Sequence, residues 1–127
     1  MRIGALAEAA GTTTRTLRYY EQEGLLGSTR TPSGYRDYAD DALLRVRNIR
    51  ELLATGFTIN DVRGFLSYLD RDLPPVFADS GGCATAMRIA NERLTLLRER
   101  LHTLTRLHDS LAARLDQPAF GDPTADH

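Results

Sequence analysis

The chain of 127 residues has no lysine, no tryptophan and a single cysteine, Cys83. One thiol excludes an intrachain disulfide and any zinc ribbon or finger built on paired cysteines. No stretch approaches the ~18 consecutive apolar residues of a membrane-spanning helix, so no membrane partner is expected. The opening Met1-Arg2-Ile3-Gly4-Ala5-Leu6 runs into charged Glu8, which does not suit a secretory signal, and a cytoplasmic location is expected. Signatures of catalysis are missing too. There is no nucleophile elbow, no phosphate-cradling glycine loop and no His-Glu-x-x-His helix. His102 and His108 stand six residues apart, about 240° around a helix, so they cannot share a metal ion. Neither enzymatic activity nor a resident metal or cofactor is expected.

What is present has the size of one domain, with hydrophobic (42%) and charged (26%) shares typical of globular proteins. All 16 basic residues are arginine, set against 17 acids. Residues 1–50 carry a net +2 and residues 51–127 a net −3. Near-neutrality argues against non-specific nucleic-acid binding, which phosphate neutralisation drives, but it allows a local basic patch at the front.

The hydrophobic pattern is helical with one short interruption. Ile3, Leu6, Ala7 and Ala10 form a helical face that Gly11 ends, and a threonine of Thr12-Thr13-Thr14 can cap the next helix. That helix carries Leu17 and Tyr20 and stops at Gly24, which makes a helix-turn-helix. Around Pro32-Ser33-Gly34 the residues become β-tolerant, and a small hairpin, or wing, is predicted. A third helix starts near Asp40 or Asp41, with a stripe of Leu43, Val46, Ile49 and Leu53, and ends at Gly56. Thr58 and Asp61 resemble a capping box that opens a fourth helix with Ile59, Val62, Phe65, Leu66 and Leu69 on its apolar face.

Asp70 to Gly82, with Pro74-Pro75 and Gly81-Gly82, reads as a linker. Beyond it Cys83, Met87, Ala90, Leu94, Leu97, Leu101, Leu104, His108, Leu111 and Leu115 alternate in steps of four and three, a coiled-coil seam. A helix of roughly 50 Å is too long to fold back within so small a chain. Its leucine stripe therefore needs a partner, and a second copy of the chain is the simplest one. His108 is then a polar seam residue that fixes register.

The front of the chain supplies a different chemistry. Arg15, Arg18 and Tyr19 lie on the second helix of the helix-turn-helix, the element that enters a major groove. Arginine pairs bidentately with guanine or phosphate, and a tyrosine hydroxyl donates to phosphate. Arg30, Tyr35, Arg36 and Tyr38 add guanidiniums and phenols on the wing, while Tyr20 and Tyr38 also suit a core.

Ile3-Gly4-Ala5-Leu6-Ala7, Thr14-Arg15-Thr16-Leu17-Arg18-Tyr19-Tyr20-Glu21, Glu23-Gly24-Leu25-Leu26 and Ser33-Gly34-Tyr35-Arg36-Asp37-Tyr38 resemble the DNA-binding domain of the MerR family of bacterial transcription regulators. Gly56-Phe57-Thr58-Ile59-Asn60-Asp61-Val62 resembles that family's second helix-turn-helix, and the likeness covers about residues 1–115. It implies an all-α fold with a small β-hairpin wing: a winged helix-turn-helix joined to a long helix that pairs antiparallel with its twin. The expected layout is a DNA-binding domain over 1–70, with the wing at about 28–38 and the second helix-turn-helix at about 40–70. A linker over 71–82, a dimerisation helix over 83–116 and a loose tail over 117–127 follow.

The resemblance further implies a homodimer on an inverted repeat in double-stranded promoter DNA. Such a dimer bends and untwists an over-long promoter spacer so that RNA polymerase engages both elements, in response to an effector. The candidate DNA-binding set is Thr14, Arg15, Arg18, Tyr19, Arg30, Tyr35 and Arg36, with Tyr20 left in the core. The dimerisation set is Leu94, Leu97, Leu101, Leu104, His108 and Leu111.

Cys83 falls where the family's metal sensors begin the dimer helix with a cysteine, which makes it the effector candidate. Those sensors carry further cysteines in a loop after that helix, whereas Gln117 to Pro123 has none and only Asp126 and His127 offer tail ligands. Soft-metal coordination is thus unsupported. Cys83 reads alternatively as a small buried hydrophobe, a thiol or metal sensor, or the wall of a small-molecule pocket. Two rivals to the regulator reading are a small-molecule-sequestering protein on the same fold and an excisionase-like architectural factor, which usually lacks so long a leucine seam.

Overall fold

Gly11 takes a left-handed backbone (φ 68°), and this ends helix α1 (Ile3–Ala10). The N–H of Thr12 then returns to the Ala7 carbonyl at 2.9 Å. Thr13 caps α2 (Thr14–Gln22), its hydroxyl oxygen accepting from the Thr16 N–H at 3.1 Å. Leu6, Ala7 and Ala10 of α1 and Leu17 and Tyr20 of α2 enter one core. A computed structural model describes residues 1–77 and 84–120, which belong to two compact units, Met1–Ala90 and Asn91–His127.

The wing consists of β1 (Thr29–Arg30) and β2 (Arg36–Asp37), antiparallel with Thr29 opposite Asp37 and Arg30 opposite Arg36. The Thr31 N–H donates to the Tyr35 carbonyl at 2.7 Å, and Gly34 supplies the positive φ that the reversal needs. Arg2 bridges to Asp37 and the Tyr38 N–H donates to the Met1 carbonyl at 2.7 Å, so the start of the chain pairs with the wing.

Helix α3 (Ala42–Thr55) buries Ala42, Val46, Ile49 and Leu52, with Leu43 and Leu53 half-buried at its flanks. Asp41 precedes it without making a capping hydrogen bond. The one buried polar side chain among the described residues, Asn48, donates to the carbonyls of Leu69 and Arg71, each at 2.8 Å. Arg45 donates to the Leu25 carbonyl at 2.7 Å and pairs with Asp70 at 2.8 Å, while Arg50 reaches the Ala10 carbonyl at the end of α1. Buried groups of this kind must be satisfied, and these are.

The Thr58–Asp61 capping box forms as expected: the Thr58 N–H donates to the Asp61 carboxylate at 2.9 Å and the Asp61 N–H to the Thr58 hydroxyl oxygen at 3.1 Å. The helix it opens is shorter than predicted. α4 covers only Ile59–Arg63, and after Gly64 a 3-10 turn (Leu66–Tyr68) takes over. Glycine is a poor helix former, and a methyl group at position 64 would run into the Ile89 side chain, so close packing keeps this position small. Phe65 and Leu69 are still fully buried. The presumed linker is also part of the core. Leu73 and Phe77 are half-buried, and the Phe77 ring lies 5.7 Å from that of Phe65, because an aromatic ring so near a cluster gains more from burial than from solvation.

Helix α5 (Ala84–Arg114) has 31 residues and a length of about 46 Å. Its first turns contribute Ala86 and Ile89 to the core of the first unit. In the second unit the helix ends two residues earlier than expected, and Asp116 adopts a left-handed backbone (φ 55°). Composition predicts a loose tail from 117, yet the chain turns back there. The Gln117 N–H donates to the Ala112 carbonyl at 2.9 Å and the Phe120 N–H to the Asp109 carboxylate at 2.8 Å. Among the described residues, no helix is long and apolar enough to cross a membrane.

Candidate nucleic-acid interface

With Leu17 and Tyr20 of α2 turned into the core, helical geometry carries Arg15, Arg18, Tyr19 and Gln22 to the opposite side, about 100–200° away from Leu17. All four are exposed, and Thr14 is half-buried at the edge of this face. Gln22 is absent from the sequence-derived set. It lies seven residues from Arg15 and four from Arg18, and that spacing is the signal that identifies it.

The wing side is more heavily internally bonded. Arg30 donates to the Gly34 carbonyl at 3.2 Å. Arg36 is half-buried, with its guanidinium 3.3 Å from the Glu21 carboxylate. Tyr38 is buried rather than displayed, and its hydroxyl also donates to Glu21. Burial first, and then the carboxylate beside it, push the Tyr38 phenol up to about 12. Tyr20 is buried too, and its phenol is likewise raised by loss of solvent. Tyr35 stays 54% exposed, and the Arg2 guanidinium stacks over its ring at 4.2 Å. Arg2 escapes a local reading of the sequence because its neighbour is thirty-three positions away.

Among the arginines of the first unit, Arg30, Arg36, Arg45, Arg50, Arg63 and Arg71 are tied to carboxylates or carbonyls of the fold. Among the described residues nothing engages Arg15 or Arg18 by a hydrogen bond or ion pair. Two uncompensated guanidiniums one turn apart on an exposed helix face, next to an arginine- and tyrosine-bearing hairpin, form a surface suited to phosphates and base edges.

In the second unit Leu94, Leu101, Leu104, His108 and Leu111 are exposed and Leu97 is half-buried. Leu101 is 62% and Leu104 64% accessible within the chain. The apolar strip is wider than the predicted seam. Leu96 and Leu107 are exposed about 60–80° further round the helix from Leu104. His108 hydrogen-bonds through Nδ1 to Asp109 at 3.0 Å, and its ring meets the edge of Phe120. The Phe120 N–H, followed by the His108 contact, holds the Asp109 carboxyl below its ordinary value. Cys83, Asp126 and His127 lie outside the described residues. Among the described residues no group of three or more His, Cys, Asp or Glu is arranged to hold a metal ion.

Comparison with known proteins gives this geometry a context. A family model described as MerR HTH family regulatory protein matches residues 1–69. The HTH-type transcriptional regulator ZntR of Escherichia coli K12 is 32% identical over 121 residues, which cover 94% of this chain and 81% of that protein. Nodulation protein NolA of Bradyrhizobium elkanii is 39% identical over 112 residues, 82% of this chain but only 46% of NolA. The chain spans about half the length of several relatives that it matches. Among solved structures, the transcription regulator PbrR691 of Ralstonia metallidurans CH34, in complex with lead(II), superposes with a TM-score of 0.74 at 30% identity. That superposition covers 89% of this chain and 84% of PbrR691.

Proposed function

This chain belongs to the MerR helix-turn-helix family of regulatory proteins, and from that membership we propose that it is a transcription regulator, not an enzyme, that binds promoter DNA as a homodimer. The carrying observation is the exposed face of α2, where Arg15 and Arg18 have no partner among the described residues. α2 enters the major groove with Arg15, Arg18 and Tyr19, and Tyr35, Arg30 and Arg36 of the wing hold the flanking backbone. Thr14 lies at the start of α2, where it faces the same strand.

Two copies pair through the leucine strip of α5, with Leu94, Leu97, Leu101, Leu104, His108 and Leu111 in the interface. Pairing sets two recognition helices at a fixed separation and so selects an inverted repeat. The bound dimer bends and untwists the promoter spacer for RNA polymerase. Smooth bending of a short site costs roughly 1–6 kcal/mol, which the phosphate contacts of both wings offset. An effector, with Cys83 as the candidate contact, shifts the balance between the straight and the distorted complex.

The test is selection of duplexes from a randomised pool by the full-length protein, followed by footprinting on the winning sequence. An enriched inverted repeat protected symmetrically on both halves is the expected result. Failure to enrich any sequence, at low salt where phosphate binding is strongest, refutes this function and favours a small-molecule-sequestering protein on the same fold.

A further inference from the structure

Arg2, Ile3, Arg18, Gly34, Tyr35 and Arg36 line an open cleft of about 280 Å³ at the junction of the chain start, α2 and the wing. Three arginines line it; the Arg36 guanidinium is 3.3 Å from the Glu21 carboxylate, whereas Arg2 and Arg18 have no carboxylate partner among the described residues. The two guanidiniums left without a carboxylate, those of Arg2 and Arg18, suit an oxyanion that accepts their N–H groups.

Arg2 is held there twice. Its backbone bridges to Asp37 of the wing, and its guanidinium lies 4.2 Å above the Tyr35 ring. A stacked guanidinium keeps its edge N–H groups free while the ring fixes its plane, so little side-chain freedom remains to be lost on binding.

We propose that Arg2 completes a phosphate site with Arg18 and Arg36, and that the DNA backbone supplies the phosphate; the proposal rests on the DNA-binding reading above. The arrangement couples helix and wing, since one phosphate contacts both elements. Arg2 also positions Tyr35 by stacking on it, which sets the wing tip against the strand.

The probe is the duplex that the wild-type protein selects from a randomised pool. Arg2→Ala is expected to weaken binding at least tenfold and to reduce the salt slope by up to about 0.9 per protomer, with the melting temperature unchanged. Arg2→Lys should keep the slope and recover only part of the affinity, because an ammonium preserves charge without a stacking plane. In parallel, inorganic phosphate is titrated into the DNA-free protein and followed by phosphorus NMR. Line broadening with wild type that is absent with Arg2→Ala is expected.

An Arg2→Ala protein that binds the selected duplex with wild-type affinity and slope overturns the proposal but leaves the DNA-binding function standing. Loss of phosphate binding in that variant without any change in DNA affinity assigns the cleft to a free anion and also overturns it. A wild-type protein that selects no duplex overturns this proposal and the DNA-binding reading together.

Discussion

The Tyr38 hydroxyl donates to the Glu21 carboxylate, which joins the base of the wing to the last turns of the recognition helix. Glu21 also pairs with Arg36, so one carboxylate holds both strand and helix. The neutral phenol is the form that burial and Glu21 favour, with its pKa raised from 10.0 to about 12. The unfolded chain therefore loses this proton at a lower pH than the folded one. Stability from this contact is complete below pH 10 and declines as the pH rises towards about 12. Tyr38→Phe should cost on the order of 1–2 kcal/mol at neutral pH and flatten this alkaline decline. Thermal melts from pH 8 to 12 check both effects.

Arg15→Ala and Arg18→Ala should abolish specific DNA binding while changing stability by no more than ~0.5 kcal/mol, because neither side chain supports the fold. Arg36→Ala should differ from them. It removes an ion pair with half-buried Glu21 and should lower the melting temperature as well as DNA affinity. Gel-shift titrations and melting curves on the three variants separate the two behaviours. Equal melting losses in all three would contradict the division between free and engaged arginines.

Leu101 is exposed within its own chain, so a glutamate there has no buried site to disrupt until a second copy arrives. Leu101→Glu should leave the helical circular dichroism of the first unit in place and abolish self-association. Burying two such charges in a dimer costs several kcal/mol. Sedimentation equilibrium gives the result. A variant that remains dimeric would exclude this stretch of α5 from the interface.

Asp109 accepts the Phe120 N–H and contacts His108, and its carboxyl is held below the ordinary carboxylate value of 3.8. The contact is present above that range and is lost as the pH falls through the lowered value. In an acid titration by NMR, the Phe120 amide shift should move with a midpoint below 3.8. Asp109→Asn should accelerate exchange of that amide at neutral pH.

Local chemistry made much of the fold readable from sequence. The Gly11 terminus, the Thr58–Asp61 capping box and the turn at Gly34 each depend on residues within a few positions, and each forms as expected. The exposed face of α2 follows from helical periodicity alone. Features set by distant neighbours were not readable. The close packing at Gly64 depends on Ile89, the burial of Phe77 on Phe57 and Phe65, and the placement of Arg2 on a wing more than thirty residues away. Arg36 reads as a free wing cation because nothing in its local sequence points to Glu21.

Helix α4 has five residues, well under the length at which a helix holds itself together in water. Its persistence therefore depends on its capping box and on Ile89 pressing on Gly64. The hydrogen-bonded amides of Asp61 and Val62 should accordingly act as a gauge for the seating of the first turns of α5. A truncation of Ile89 to alanine should raise hydrogen–deuterium exchange in this stretch before any change is visible in α1 or α2. A short helix of this kind can report, by its own opening, that the longer helix beside it has begun to lift.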